Sequence, residues 1–137
     1  MAGNGSVNGA DELIAALTKG ADQTDQLMGL VVEKTAVDLA GLVQQHASGR
    51  PGPNVITGDY RGSWRPQREE AEPGAVSWST GTDRAQARRL EYGFVGFDSL
   101  GRQYNQPPYA HMGPAVDEIE PRFEDALRQV AKQALPW

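Results

Sequence analysis

The stretch ARRLEYGFVGFDSLGRQYNQPPYAHMGPAV, residues 87–116, decides how this chain is read. Leu90 to Val95 carries the apolar and charged residues of a short strand, and Val95 to Gln106 forms a long loop bounded by glycine. Proline donates no backbone hydrogen bond and disfavours helix at the residue before it, so Pro107-Pro108 holds the chain extended. Pro114, by contrast, suits the first turn of a helix. The stretch therefore predicts a hinge between a sheet and a helix.

Beyond that hinge, Val116, Ile119, Phe123, Ala126, Leu127, Val130 and Ala134 form an apolar stripe at helical spacing. Pro121 interrupts the pattern and predicts a kink or restart near Glu120. Upstream, Met28, Val32, Ala36, Leu39 and Val43 recur at steps of four and three, which predicts a long amphipathic helix over Thr24–Ala47. The run Ser48-Gly49-Arg50-Pro51-Gly52-Pro53 ends it, and His46 falls in the last turn, where the helix dipole favours a cation. Asp11–Leu17 predicts a separate short helix closed near Gly20. Residues 1–10, rich in Gly and Asn without periodicity, predict a flexible tail before a single domain over 11–137.

Between the two long helices, Tyr60–Arg68 and Gly74–Thr80 predict a hairpin, with Trp64, Val76 and Trp78 at period-two spacing and a solvated Pro73-Gly74 turn. With Leu90–Val95 as a third strand, the expected fold class is α+β: a small antiparallel sheet covered by two long amphipathic helices. Opposite charges on neighbouring strands are the readiest way to keep Glu91 within an apolar strand, so Arg61 and Glu91 are expected to pair.

Three motifs carry a family resemblance. Thr57-Gly58-Asp59-Tyr60-Arg61-Gly62-Ser63-Trp64 resembles a "TGxLRxS" element; Leu90-Glu91-Tyr92-Gly93, then Pro107-Pro108-Tyr109 and Gly113-Pro114-Ala115-Val116, resemble an "EFG … PPRPFLRPAL" signature. Both belong to a family of small siphophage tail-completion, or neck, proteins that includes the minor tail protein Z of phage lambda. The likeness spans roughly Leu27 to Leu135. Phe94 stands where a Thr is usual, His111-Met112 replaces Phe-Leu, and the loop from Val95 to Gln106 is long. The resemblance implies a structural virion protein of the head–tail junction, located in the tail or neck and assembled in the host cytoplasm. It further implies neighbouring ring proteins as partners: the head–tail connector, tail tube and tape measure. A tail terminator capping the tail tube is the alternative within virion proteins, and a small nucleic-acid-binding or enzymatic domain is the alternative outside them.

Composition agrees with a structural role. The 137 residues carry a net charge of −5 and no cysteine. Residues 1–49 hold six acids against Lys19 and Lys34, and only residues 50–102, with eight Arg against seven acids, come near a basic surplus. Tight phosphate binding needs such a surplus, so DNA is expected to pass nearby without sequence-specific binding. Arg61, Arg65 and Arg68 interleave with Tyr60 and Trp64, but strand alternation alone gives that pattern. No apolar run is long enough to span a bilayer, and the N-terminus lacks the basic and apolar regions of a signal peptide, so a soluble product without membrane contact is expected.

The chemical inventory is thin. His46 and His111 are the only histidines, and no nucleophile elbow, zinc-binding helix or phosphate loop is present. Tyr109, His111 and Asp98 are the residues best placed to converge, yet no spacing fixes their geometry. The chain reads as a non-enzyme, with no catalytic, metal or cofactor-binding residues and no cofactor. Assembly is expected instead to rest on Phe94, Phe97, Leu100 and Tyr104 in the long loop, Tyr109 after it, and Trp137 at the end. A closed ring needs two different patches per subunit, and the symmetry of tails suggests a homo-oligomer of six copies.

Overall fold

The computed structural model describes residues 2–134, with side chains from residue 11 onward except at position 16. A single helix, α1, runs from Ala2 to His46. It passes through Gly20 and through the residues expected to form a tail. No proline precedes Pro51, so every residue can donate to the helical ladder, and each interior glycine costs only about 1 kcal/mol relative to alanine. Trp137 lies outside the described residues.

After the Pro/Gly turn, a short helix α2 (Asp59–Gly62) leads into β1 (Arg65–Glu69), which pairs antiparallel with β2 (Ser77–Gly81). The strand expected from Tyr60 thus begins later. Gly58 turns the chain at φ +82°, and the Ser63 hydroxyl donates to the Tyr60 carbonyl at 2.5 Å, which closes a helical turn instead of extending it. Pro66 sits in β1 without breaking a larger ladder because the sheet has only two strands.

The third strand is the main correction. Leu90 and Glu91 lie in a helix, α3 (Ala87–Tyr92), and the chain pairs only afterwards, as β3 (Phe94–Phe97) against β4 (Gln103–Gln106). Gly93, at φ +81°, separates the two. The loop expected over Val95–Gln106 is therefore a second hairpin, closed by a turn that Asp98 organises. Its carboxylate accepts from the backbone N–H of Leu100 at 2.9 Å and of Arg102 at 2.8 Å, and from Arg102 Nε at 2.5 Å. The architecture is α+β with two separate two-stranded antiparallel sheets.

The last helix, α4, spans Met112–Ala134 and packs along α1. Pro121 lies inside it without ending it. The carbonyl it leaves without a donor belongs to Asp117, an exposed residue, where water can satisfy it. Between the helices, α1 offers Ala36, Ala40 and Val43, continued by Ala47 in the turn just after it, a row of small side chains that admits α4 closely. Val43, Trp64 and Ala115 form the centre, with Leu39, Leu42, Tyr60, Ala87 and Met112 packed around it. The first hairpin lies on α1, where Thr80 Oγ1 donates to the Ala36 carbonyl at 2.6 Å.

Candidate functional site

The helix α4 begins without a capping side chain of its own. Residues 109–112 read Tyr-Ala-His-Met, and the first turn contains no acid. Helix N-termini leave backbone donors unpaired, and a carboxylate there satisfies both hydrogen bonding and dipole. Glu91 supplies it from α3. Its carboxylate accepts from the backbone N–H groups of His111 at 2.9 Å, Met112 at 2.9 Å and Gly113 at 2.8 Å. Burial alone would raise the pKa of Glu91, but these three donors, with His111 beside it, outweigh burial and hold the carboxyl below its ordinary range.

His111 extends the network inward and is completely buried. Its Nδ1 lies 2.8 Å from the Tyr109 carbonyl and 3.0 Å from Glu91 Oε2, two acceptors, so that nitrogen carries a proton. Its Nε2 lies 2.6 Å from the Tyr60 hydroxyl. Tyr60, Trp64 and His111 meet edge to face, with ring centroids 5.6–6.3 Å apart. In a short helical turn, residues four apart share a side, as even-numbered residues of a strand do. Tyr60 and Trp64 therefore end on one side although the expected strand is absent there.

A carboxylate–imidazole–phenol chain resembles a relay that could activate a nucleophile. Its electrostatics argue for a structural lock. Burial raises the Tyr60 phenol above its usual value against the opposing pull of the Trp64 indole, and the Glu91 charge adds to the rise, so the phenol stays protonated at neutral pH. The Glu91 oxygens are occupied by backbone donors. Tyr60 does border an open cleft of about 640 Å³, flanked by Arg50, Ile56, Arg61, Leu90 and Tyr109. Arg50 there lies flat over the Tyr109 ring at 3.7 Å. Among the described residues, no group of three or more His, Asp or Glu side chains is placed to hold a metal ion.

Arg61 and Glu91 are not partners. Arg61 Nη1 donates to Ser48 Oγ at 3.3 Å, whereas Glu91 faces the start of α4. Because Leu90–Tyr92 is helical, no strand register brings the two side chains together. Of the residues expected to converge, Tyr109 and His111 meet at 2.8 Å, while Asp98 stays in the turn of the second hairpin. One signal in the sequence did point to the real partner of Glu91: a lone acid in an apolar segment, followed by a helix with no cap.

The residues expected at an interface divide into two sets. Phe94 is half-buried under the Arg89 guanidinium, 3.9 Å from the ring centroid, with Tyr104 beside it at 6.5 Å. Tyr109 is half-buried and tied to Leu90 by its backbone N–H at 2.7 Å. Phe97 and Leu100 remain 68% and 76% exposed, joined by Val95 at 75%. Val95 and Phe97 alternate with Phe94 and Gly96, so the ribbon turns one face to α3 and leaves an apolar outer face uncovered. Among the described residues, no helix is long and apolar enough to cross a membrane. The chain matches no protein-family model, no curated protein and no solved structure.

Proposed function

We propose that the chain is a structural virion protein of a tailed bacteriophage, acting at the head–tail junction as a tail-completion or neck subunit. The observation that carries the proposal is the outer face of the β3–β4 ribbon, where Val95 and Phe97 remain exposed, with Leu100 exposed in the adjoining turn, beside a polar network that already satisfies itself. A patch of this kind, on a two-stranded ribbon outside the helical core, suits a protein–protein contact. The three motifs that resemble neck proteins supply the kind of partner, and the net charge of −5 suits a wall past which DNA slides. In this reading six copies form a ring in the virion and bind the head–tail connector, tail tube or tape measure. A tail terminator is the second reading, supported by the same surface and the same composition.

Disrupting the gene in its phage tests the proposal. Filled heads and separate tails that fail to join, restored by the protein supplied in trans, are the expected result. Tails of uncontrolled length would favour the terminator, and normal infectious particles would contradict both.

A further inference from the structure

The exposed face of the ribbon is matched by a second exposed apolar surface at the far end of α1. A helix of 45 residues is about 68 Å long, whereas the 23 residues of α4 span about 35 Å, so α4 can cover only about half of α1. The uncovered part is the N-terminal arm. Residues 11–15 and 17–19 are all exposed, and Leu13, Ile14 and Leu17 show 61%, 61% and 59% of their surface to solvent. Isolated helices of this length are marginal in water, so an apolar arm gains stability from a covering surface.

The arm cannot reach its own ribbon. The ribbon is anchored beside the core around Val43: Tyr109 bonds to Leu90, and Ala87 and Met112 pack on the Val43 cluster. Leu13 and Val43 are thirty residues apart on one helix, about 45 Å. A continuous helix does not fold back over that distance.

Charge selects between the possible covers. The arm carries Asp11, Glu12, Asp22 and Asp25 against Lys19, so two arms side by side would repel. At the base of the ribbon Arg88 is exposed, and among the described residues it lies within ion-pairing distance of no carboxylate, whereas the Arg89 guanidinium is held over Phe94 on the inner face of the ribbon. The nearby acids are already engaged, Glu91 by the start of α4 and Asp98 by Arg102. Apolar surface and opposite charge thus occur together at the two ends of one molecule.

We propose that the acidic, apolar arm of α1 in one copy docks head to tail on the outer face of the β3–β4 ribbon of the next copy. This contact is heterologous, joining two different patches, and such contacts generate rings or filaments. The proposal rests on the reading of the chain as a ring subunit. Its test uses purified protein alone, however, so failure of this contact and failure of the head–tail assignment can be told apart.

Sedimentation of the full chain is compared with two double variants: Leu13→Gln with Leu17→Gln, which keeps a helix former in the arm, and Val95→Thr with Phe97→Thr, which keeps strand-forming residues in the ribbon. Circular dichroism and thermal unfolding confirm that each variant is folded; any that is not is replaced by Leu17→Gln or Phe97→Thr alone. The wild-type chain should self-associate, with an association constant about tenfold lower at high salt than at low. Each variant alone should be monomeric. Mixed in equal amounts, they should form a one-to-one dimer and nothing larger, because each retains the half that the other lacks. Wild-type protein that stays monomeric up to about 1 mM, where even a contact of about 4 kcal/mol would be half-formed, overturns the proposal. So does association of the ribbon variant alone, which would mean arm against arm, or of the arm variant alone, which would mean ribbon against ribbon. A mixture that forms no dimer overturns it as well.

Discussion

Replacing Glu91 by alanine removes the one side chain that, among the described residues, caps α4. Three backbone N–H groups lose their acceptor at once, those of His111, Met112 and Gly113. Gly113 is exposed and can turn to water. The donors of buried His111 and half-buried Met112 have less access to solvent, and each orphaned donor costs about 1–3 kcal/mol. Losing a negative charge at a helix N-terminus adds about 0.5 kcal/mol. The expected loss is therefore about 2.5–6.5 kcal/mol, which for a chain of this size lowers the melting temperature by roughly 10–25 °C. Glu91→Gln keeps the shape and one carbonyl acceptor but points an amide group at donors, so about half that loss is expected. Urea unfolding followed by circular dichroism measures both. A Glu91→Ala chain within about 1 kcal/mol of wild type would refute the view that this carboxylate fastens α3 to α4.

The same carboxylate sets a pH dependence. Its folded pKa lies below the ordinary 4.5, so the stability it contributes is fully present above that pH and is lost as pH falls through the folded value. Urea midpoints of wild type and Glu91→Gln should accordingly converge below pH 4.5 and stay apart at pH 7. Gly93→Ala should destabilise more than Gly101→Ala by about 1–2 kcal/mol in thermal melts: both glycines have positive φ, but an added Cβ at Gly93 would stand 2.8 Å from the Gln106 carbonyl oxygen, whereas at Gly101 it meets open space. Trp64 is buried, and among the described residues its indole N–H meets no acceptor in hydrogen-bonding geometry, although the Tyr60 hydroxyl lies near it. Trp64→Phe, which removes that N–H, should cost only about 1–2 kcal/mol by urea denaturation, against about 3–5 for Trp64→Ala, which opens a cavity.

The helices were legible in the sequence because their apolar residues repeat over many turns. Ala36 and Val43 on α1, and Ile119 and Val130 on α4, are buried as that period requires. Short segments were not. Leu90-Glu91-Tyr92 offers too few residues to separate a strand from a turn of helix, and tertiary contact decides it: Glu91 reaches the start of α4 from a helical backbone. The continuity of α1 through Gly20 was hidden because glycine weakens a helix without forbidding it. Within the segment expected to form an interface, Phe97 and Leu100 are exposed. Phe94 and Tyr104 were not separable from them until the β3–β4 register put them on the opposite face. The role of His111 depended on Tyr60, fifty-one residues earlier, a distance over which no local pattern reaches.

The most direct test of the proposed role is a map of the head–tail junction in intact particles of the phage that encodes the chain. The account predicts this protein in a ring between head and tail tube, with Val95, Phe97 and Leu100 buried against a neighbouring subunit or an adjacent ring. A junction without this protein, or one in which the outer face of the ribbon lies open to solvent in every copy, would contradict it.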